Sequence, residues 1–401
     1  MIDETERGKQ KLLVVTTTYP RWDNDTWPTF VHDLSAGLAH KYQVTVLTPR
    51  QPGSAEAECR DQVHVRRFAY MPRQLELLTG NDGILQTLQS KPWLVFLLPL
   101  FFIGMLLAIR KQVKEGVDVI HAHWLPWGLL ATVASTVTPV LVTAHGSDVF
   151  KLRGILWRSF RRMTSRRVSA VAVVSECLKD RLIEEGISRK EIYLAPMGVG
   201  LMNRFMPPDV VTGKKTDLIF IGRLIESKGP DLLIEVMRIV CKRRPETRLL
   251  MVGDGPMREL LKAQVSGYGL EHNIAFSGAV ENLQVAKLFA SSRVCVMPSR
   301  SAQDGASEGL GLVAIEALGS GCRLVSGINP ALQGMLPKGA PACFVTPENV
   351  SDFASAILEA LDKGEAVDDL GFPAFRQALC DKFDWAKVVL NYDSILQKLV
   401  R

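Results

Sequence analysis

Short apolar, β-branched runs alternate with longer stretches of mixed apolar and polar residues, and the alternation occurs twice. KLLVVTTTYP (11–20) predicts a buried strand entering a loop, Thr29 to His40 a helix, and YQVTVLTP (42–49) a second strand. VDVIHAHW (117–124), PVLVTAHG (139–146) and AVAVVS (170–175) predict further strands, each followed by a helix-like stretch. Strands alternating with helices build βαβ units and a parallel sheet. A turn-rich stretch, MPPDVVTGKKTD, follows, and then the pattern restarts with DLIFIGRL (217–224), TRLLMVGDG (247–255), NIAFSGAV (273–280), RVCVMPS (293–299) and CRLVSG (322–327). The expected fold is α/β, with two doubly wound domains at 1–207 and 208–384. A ligand shared by two such domains sits in their cleft, at the carboxyl ends of both sheets.

Two segments break the pattern. From Trp93 to Ile109 there are seventeen residues without a charge, interrupted by Pro99 and Gly104. That is at the lower limit for a membrane-spanning helix, so an interfacial helix is the first expectation, a buried helix the second and a true span the last. The run KLRGILWRSFRRMTSRR (151–167) has Leu152, Ile155, Leu156, Phe160 and Met163 near helical spacing, with Lys151, Arg153, Arg158, Arg161, Arg162, Arg166 and Arg167 supplying charge. A basic amphipathic helix suits an anionic membrane or a phosphorylated lipid; the alternative is a helix that packs one face and solvates the rest.

Charge sharpens this picture. Residues 1–200 hold 25 Lys/Arg against 19 Asp/Glu, while 201–401 hold 23 of each, so the first half carries all of the net +6. No nucleic-acid motif accompanies the excess, and no nucleic-acid partner is expected. Seven unpatterned cysteines point to reduced thiols rather than a disulfide framework. The polar start MIDETERGKQK lacks the apolar core of a secretory signal, so a cytoplasmic chain is expected.

The strongest local signal for chemistry is SEGLGLVAIEALGSG (307–321), in which Glu308 ends a Gly-rich loop and Glu316 lies inside the apolar helix that follows. Eight helical steps span about 12 Å and return to within roughly 80° of the same face. That separation suits the two ends of an extended ligand better than a catalytic pair. The amides of Gly311, Leu312 and Val313 begin the helix and form an anion site. In FIGRLIESKG a strand ends at Gly222, and Arg223 and Lys228 follow before a helix; two such cations neutralise a diphosphate, or else are a solvated surface pair. His145 and Ser175 each follow a strand, where a cleft ligand would lie, and His121 and His123 share the ambiguity between a ligand and a structural role. Ser175 lacks the G-x-S-x-G elbow of a hydrolase. Asp23 and Asp25 in DND have a metal-binding spacing but lie in a polar turn, and VGDGP (252–256) reads as a Gly-rich turn without a ligand.

In order along the chain, HAHW, TAHGSD, VVSECL, APMGV, GRL-x3-KG, VGDGP and E-x(7)-E resemble the family-4 glycosyltransferases, of the GT-B architecture with two Rossmann-like domains facing a cleft. The resemblance covers nearly the whole chain and includes a late FDWAKVV stretch, which looks like the closing helix (385–401) that packs back on the first domain. It implies a retaining hexosyltransferase of bacterial polysaccharide or glycolipid type that needs no metal or other cofactor. By the same resemblance Arg223 and Lys228 bind the donor diphosphate, Glu316 the ribose hydroxyls, Glu308 the transferred sugar and the 311–313 amides the phosphate. His145 lies beside the anomeric centre and Ser175 near the acceptor or donor pocket. The expected partners are a nucleotide-sugar donor, a lipid-linked or glycan acceptor, and an anionic membrane on whose cytoplasmic face the protein is peripheral.

Two departures stand out. WDNDTWPTFV replaces the family's Gly-Gly loop after the first strand, and RLVSGINPALQG lacks the acid of its G-G-x-x-E loop and places Arg323 in a strand. A sugar-nucleotide 2-epimerase shares the layout but has no use for a basic, apolar first domain. A non-catalytic membrane scaffold would have no need of Glu308, Glu316, Arg223 and Lys228 together.

Overall fold

The computed structural model describes residues 8–23, 25, 27–79, 83–151, 154–188, 191–208, 216–300 and 310–400, with the side chains of Leu85, Gln86, Gln89 and Lys151 also left aside. Two compact units emerge, Met1–Gly198 with Val388–Arg401, and Val199–Lys387. The division falls ahead of the proline-rich stretch for a local reason. Val199 bridges to Asp384, and the Met202 amide donates to the Asp384 carboxylate at 2.9 Å, which ties this segment to the second unit.

In the first unit the strands are β1 (Gln10–Val15), β2 (Tyr42–Pro49), β3 (Ala57–Arg60), β4 (Val63–Phe68), β5 (Val119–His123), β6 (Val140–Ala144), β7 (Ala170–Val173) and β8 (Ile192–Leu194). Their order is β3-β4-β2-β1-β5-β6-β7-β8, with only β3 antiparallel to its neighbour. In the second unit β9 (Thr216–Ile221), β10 (Leu249–Val252), β11 (Ile274–Gly278), β12 (Ser292–Met297), β13 (Arg323–Gly327) and β14 (Ala342–Val345) run in the order β11-β10-β9-β12-β13-β14. Both sheets reverse direction beside their first strand, at β1/β5 and at β9/β12. A doubly wound sheet opens a crevice at such a point, outside the strand carboxyl ends.

Four central strands are buried throughout: β5, β6, β7 and β13 have no exposed residue, though His121 and His123 interrupt the apolar run in β5 and Arg323 and Ser326 that in β13. This is the signature of parallel strands covered by helices on each side. From Val388 onward the helix Trp385–Val400 belongs to the first unit, where Tyr392 donates to the Ala195 carbonyl at 2.9 Å and Asp393 accepts from Lys41 and Tyr42.

The charge-free segment is a 3-10 turn, Pro92–Leu97, running into a helix, Leu98–Lys114. Pro92–Lys114 is long and apolar enough to cross a membrane, its most apolar 18 residues having a mean hydropathy of 2.4. One stripe of it is nevertheless docked on the first unit, since Phe101, Met105 and Ile109 are fully buried. Gly104 permits the docking: a Cβ there would lie 2.9 Å from the Ala69 carbonyl oxygen. Pro99 sits in the first helical turn, where its missing N–H costs nothing. The opposite stripe, Phe96, Leu100, Ile103 and Leu107, is exposed.

The basic helix, Ile155–Arg167, packs differently from its apolar spacing. Ile155, Leu156 and Met163 face out, while Arg161, Thr164 and Ser165 face in. Arg161 is 2% exposed and forms a two-pronged ion pair with Glu185, both contacts at 2.6 Å, and Arg162 donates to the Glu185 carbonyl. Arg161 therefore adds nothing to an outward positive face, which corrects the expectation that counted it among the charges of a basic amphipathic helix; Arg158, Arg166 and Arg167 remain exposed.

Removing one partner of a buried ion pair strands the other charge. Arg161→Leu should therefore lower the stability of the protein by about 3–5 kcal/mol in urea unfolding. Arg166→Gln should change it by less than about 0.5 kcal/mol. Equal, small effects would show that the Arg161–Glu185 pair carries no weight.

Candidate active site

In the second unit the expected phosphate-binding residues gather at the β9/β12 switch point. β9 ends at Ile221, Gly222 and an exposed Arg223 follow, and a short turn, Glu226–Lys228, carries a half-buried Lys228 to the helix Pro230–Arg243. This loop is built on a neighbour. The VGDGP turn after β10 supports it, with the Gly222 amide on the Val252 carbonyl at 3.0 Å and the Leu224 amide on Asp254 at 2.9 Å. Gly253 has a φ of 133°, and a Cβ on it would lie 1.9 Å from the Gly222 carbonyl oxygen. Only glycine fits there, so VGDGP shapes the Arg223 loop from behind.

From the β12 side Arg300 braces the same loop. Its side chain pairs with Asp231 at 2.6 Å and donates to the Glu226 carbonyl at 3.3 Å, and its amide donates to Ser227 at 3.1 Å. Sequence reading missed this residue; the signal was a cation three residues past a strand end, in MPSR. The helix Leu312–Gly319 starts at Gly311, which has a left-handed φ of 76°. The amides of Gly311, Leu312 and Val313 precede the first intrahelical acceptor, so they point off the helix end. Leu312, Val313 and Glu316 share the half-buried side of this helix, and Ala314, Ile315, Ala317 and Leu318 its buried side. Glu316 is thus half-buried one turn into the helix, not sealed in the core. Glu308 lies outside the described residues.

Arg323 is the first residue of β13, at the end of the strand remote from the crevice. It binds Asp369 through two contacts at 2.7 and 2.9 Å and donates to the carbonyls of Lys363, Gly364 and Glu365. Its role is to anchor the chain after the helix Val350–Asp362, so the departure at RLVSG does not place a cation on the donor.

In the first unit, residues from the strand ends beside β1/β5 meet. His121 and His123 on β5 and Thr143 on β6, with His145 just beyond, form a column along one sheet face: His121 Nε2 lies 2.8 Å from Thr143 Oγ1, and His123 Nδ1 lies 3.0 Å from His145 Nε2. Tyr392 covers the inner end, its ring 5.3 Å from that of His121. Burial drives the His121 and His145 pKa values down to about 3, and His123 falls well below the usual histidine range for the same reason, reinforced by its two neighbours. His121 Nδ1 and His123 Nε2 are buried without a hydrogen-bond partner. Asp148, also missed from sequence, holds the outer end. One carboxylate oxygen accepts from the His145 and Gly146 amides at 3.1 Å each, and the other from Leu125 at 2.9 Å. Its pKa is raised by burial.

Ser175 is fully buried and caps the helix Glu176–Glu184, its hydroxyl accepting from the Leu178 amide at 3.4 Å. Asp25 is paired to Arg21 at 2.8 Å and Asp23 to Arg60 at 2.8 Å. Among the described residues no group of three His, Cys, Asp or Glu is placed to hold a metal.

Two doubly wound units, each with its polar groups at a switch point, are the architecture of GT-B proteins. Comparison with known proteins agrees. The chain matches the family model "Glycosyltransferase Family 4" over residues 28–201 and "Glycosyl transferases group 1" over residues 204–374. It is 24% identical to the GDP-mannose-dependent alpha-(1-6)-phosphatidylinositol monomannoside mannosyltransferase of Mycolicibacterium smegmatis, over 93% of this chain and 95% of that one. It is 33% identical to mannosylfructose-phosphate synthase of Agrobacterium fabrum, over 45% of this chain and 42% of that protein. Sucrose-phosphate synthase of Thermosynechococcus elongatus has the same fold, with a TM-score of 0.77, 20% identity, and coverage of 98% and 99%. The chain belongs to glycosyltransferase family 4 and uses a nucleotide-sugar donor.

The histidine column has a pH consequence. Between about pH 6.5 and pH 3 the unfolded chain protonates these rings and the folded chain does not, so stability falls as pH falls. Each fully affected histidine contributes a slope of about 1.4 kcal/mol per pH unit. The raised pKa of Asp148 acts in the opposite sense, as one group against three. Thermal unfolding followed from pH 8 to pH 4 should show a falling melting temperature below pH 6.5, with a shallower fall in His123→Phe. Unchanged stability across that range would mean the rings are charged, or hydrated, in the folded protein.

Proposed function

We propose that this chain transfers a hexosyl group, with retention of configuration and without a metal ion, to a lipid-linked or polysaccharide acceptor held at a membrane. It would work as a peripheral protein on the cytoplasmic face of the cell membrane.

The donor side of this reading rests on the positive potential collected at the β9/β12 switch point. Arg223, Lys228 and the 311–313 amides offer the departing diphosphate fixed charge and dipoles that need not reorganise as the bond breaks. Glu316 would take the ribose hydroxyls and Glu308 those of the sugar. In a same-face displacement the acceptor oxygen bonds to the anomeric carbon as the phosphate oxygen leaves. The acceptor's proton passes to that phosphate oxygen, so no protein nucleophile is required.

One observation carries the acceptor side. The helices Leu98–Lys114, Leu125–Ala134 and Ile155–Arg167 pack in a row in one layer of the first unit. That layer exposes Trp93, Phe96, Ile103 and Leu107 at one end, and Ile155 and Leu156, each at least 80% exposed, at the other. Arg110, Lys111 and Lys114 flank the first group, and Arg158, Arg166 and Arg167 the second. Large apolar side chains ringed by cations insert between anionic headgroups. The mycobacterial relative acts, by its name, on a phosphatidylinositol mannoside, which is an acceptor of this kind.

On the donor side, Arg223→Ala and Lys228→Ala should each reduce transfer about 100-fold or more. Melting temperatures should stay near wild type, and wild-type turnover should persist in excess EDTA. Near wild-type transfer by either variant would remove that residue from the site, and loss of activity in EDTA restored by manganese would overturn the metal-free reading.

On the acceptor side, wild type should sediment with phosphatidylglycerol-containing vesicles and not with neutral ones. Each exposed cation contributes roughly 1 kcal/mol, screened by salt. Arg158, Arg166 and Arg167 changed together to Gln should therefore release the protein as salt rises, with nucleotide binding intact. If this variant sediments like wild type at every salt concentration, or wild type binds neutral vesicles equally well, the electrostatic anchor is wrong and the acceptor is to be sought among soluble glycans.

A further inference from the structure

Trp124 sits at the end of β5, one of the two strands that flank the switch point of the first sheet, with φ 71° and ψ 138°. Bulky residues avoid this region because the Cβ crowds the backbone, and such outliers cluster at ligand-binding positions. Glycine would occupy the position without strain, yet the sequence places its largest side chain there. The strain is held in place from both sides. The Trp124 amide donates to the Thr143 carbonyl at 2.8 Å, and Asp148 ties the following residue, Leu125, to the His145 turn.

The ring held this way is not spent on the core. That task falls to Trp127, which is 7% exposed and packs on Phe101 and Phe102. Trp124 stays half-buried, with its ring 4.7 Å from that of His145 and 6.3 Å from that of Phe30. Phe30 and His145 are likewise half-buried, and their rings lie 5.3 Å apart. Three partly open rings, from the chain after β1, β5 and β6, thus converge at the sheet's carboxyl edge. Two offer aromatic faces, and the third carries ring nitrogens, one of them turned to His123.

We infer that Trp124, Phe30 and His145 form a subsite for a pyranose ring. A pyranose offers an apolar face of axial C–H bonds and a rim of hydroxyl groups. The face suits an indole held flat and rigid, and the rim suits the one His145 ring nitrogen that is not turned to His123. A charged or flexible apolar ligand would leave one of the two unmatched. This assignment rests on the glycosyltransferase reading and adds to it the residue that recognises a sugar ring.

The test uses the full chain and three variants, Trp124→Phe, Trp124→Ala and Trp124→Gly. Saturation-transfer NMR with methyl glucopyranoside, mannopyranoside and galactopyranoside probes an acceptor sugar. Calorimetry with UDP, GDP, UDP-glucose and GDP-mannose probes the donor's. At least one pyranoside, free or nucleotide-linked, should bind wild type and Trp124→Phe, with saturation concentrated on the C–H bonds of one ring face. Trp124→Gly should weaken that binding about 10-fold or more, the loss of one aromatic stacking contact, and leave free nucleotide binding unchanged. A loss confined to the methyl glycosides assigns the ring to the acceptor, and a loss confined to the nucleotide sugars assigns it to the donor. Trp124→Gly should also melt above Trp124→Ala, since both lack the ring and only alanine keeps the strained Cβ.

Unchanged sugar binding in Trp124→Gly overturns the subsite, as does a wild type for which no pyranoside adds affinity. Equal melting of the Gly and Ala variants overturns the strain argument. Failure of wild type to bind either nucleotide would sink the donor reading instead, and the two failures are separable.

Discussion

The ligand edge of the second unit depends on one contact between two stretches of backbone. Where β9 leaves its sheet, the Gly222 carbonyl abuts Gly253 so closely that no Cβ could stand between them. The turn after β10 thereby fixes the path of 222–224, and Arg300, from the other side of the switch point, fixes the path of 226–231. Both decide where Arg223 and Lys228 stand, and the proposed diphosphate contact would need its countercharges placed to within a fraction of an ångström. Glycine enters this site as the means of packing one turn tightly behind another.

The first unit solves a different problem, that of keeping polar groups dry. His121, His123 and His145 stand in a column between Tyr392 and Trp124, the first two fully buried, and the rings stay neutral because the cost of a buried charge exceeds what any neighbour offers in return. Asp148 is the counterpart, a buried carboxylate made tolerable by three backbone amides. One acid thus pins the chain after β5 to the chain after β6, and the rings those segments carry inherit a fixed spacing.

How much of this the sequence revealed follows from how each element is buried. The central strands were legible because a parallel strand covered on both faces is an unbroken apolar run. β3, with AECR, and β4, with VHVRRF, were not, since strands near a sheet edge admit charge and lose the pattern. The E-x(7)-E helix, the GRL-x3-KG loop and the HAHW strand were legible as motifs. The brace from Arg300 was not, because its partner Asp231 lies in another crossover unit. The basic helix was legible only in part. Its apolar spacing left open whether Ile155, Leu156 and Met163 face a membrane or the core; they face out, and the inward position belongs to Arg161, whose partner Glu185 is 24 residues away. A buried ion pair can turn a helix over, and periodicity carries no record of it.

The helix Trp385–Val400 adds a consequence for the making of the protein. Its last turns close the first unit, where Tyr392 covers His121 and Asp393 and Gln397 hold Tyr42. A ribosome that has finished the first 198 residues has therefore not finished the domain they form. Through the synthesis of the whole second unit, the sheet face bearing the histidine column waits without its cover. Folding of the two halves cannot be strictly sequential: the second is completed first, and the beginning of the chain reaches its native state only when the end arrives.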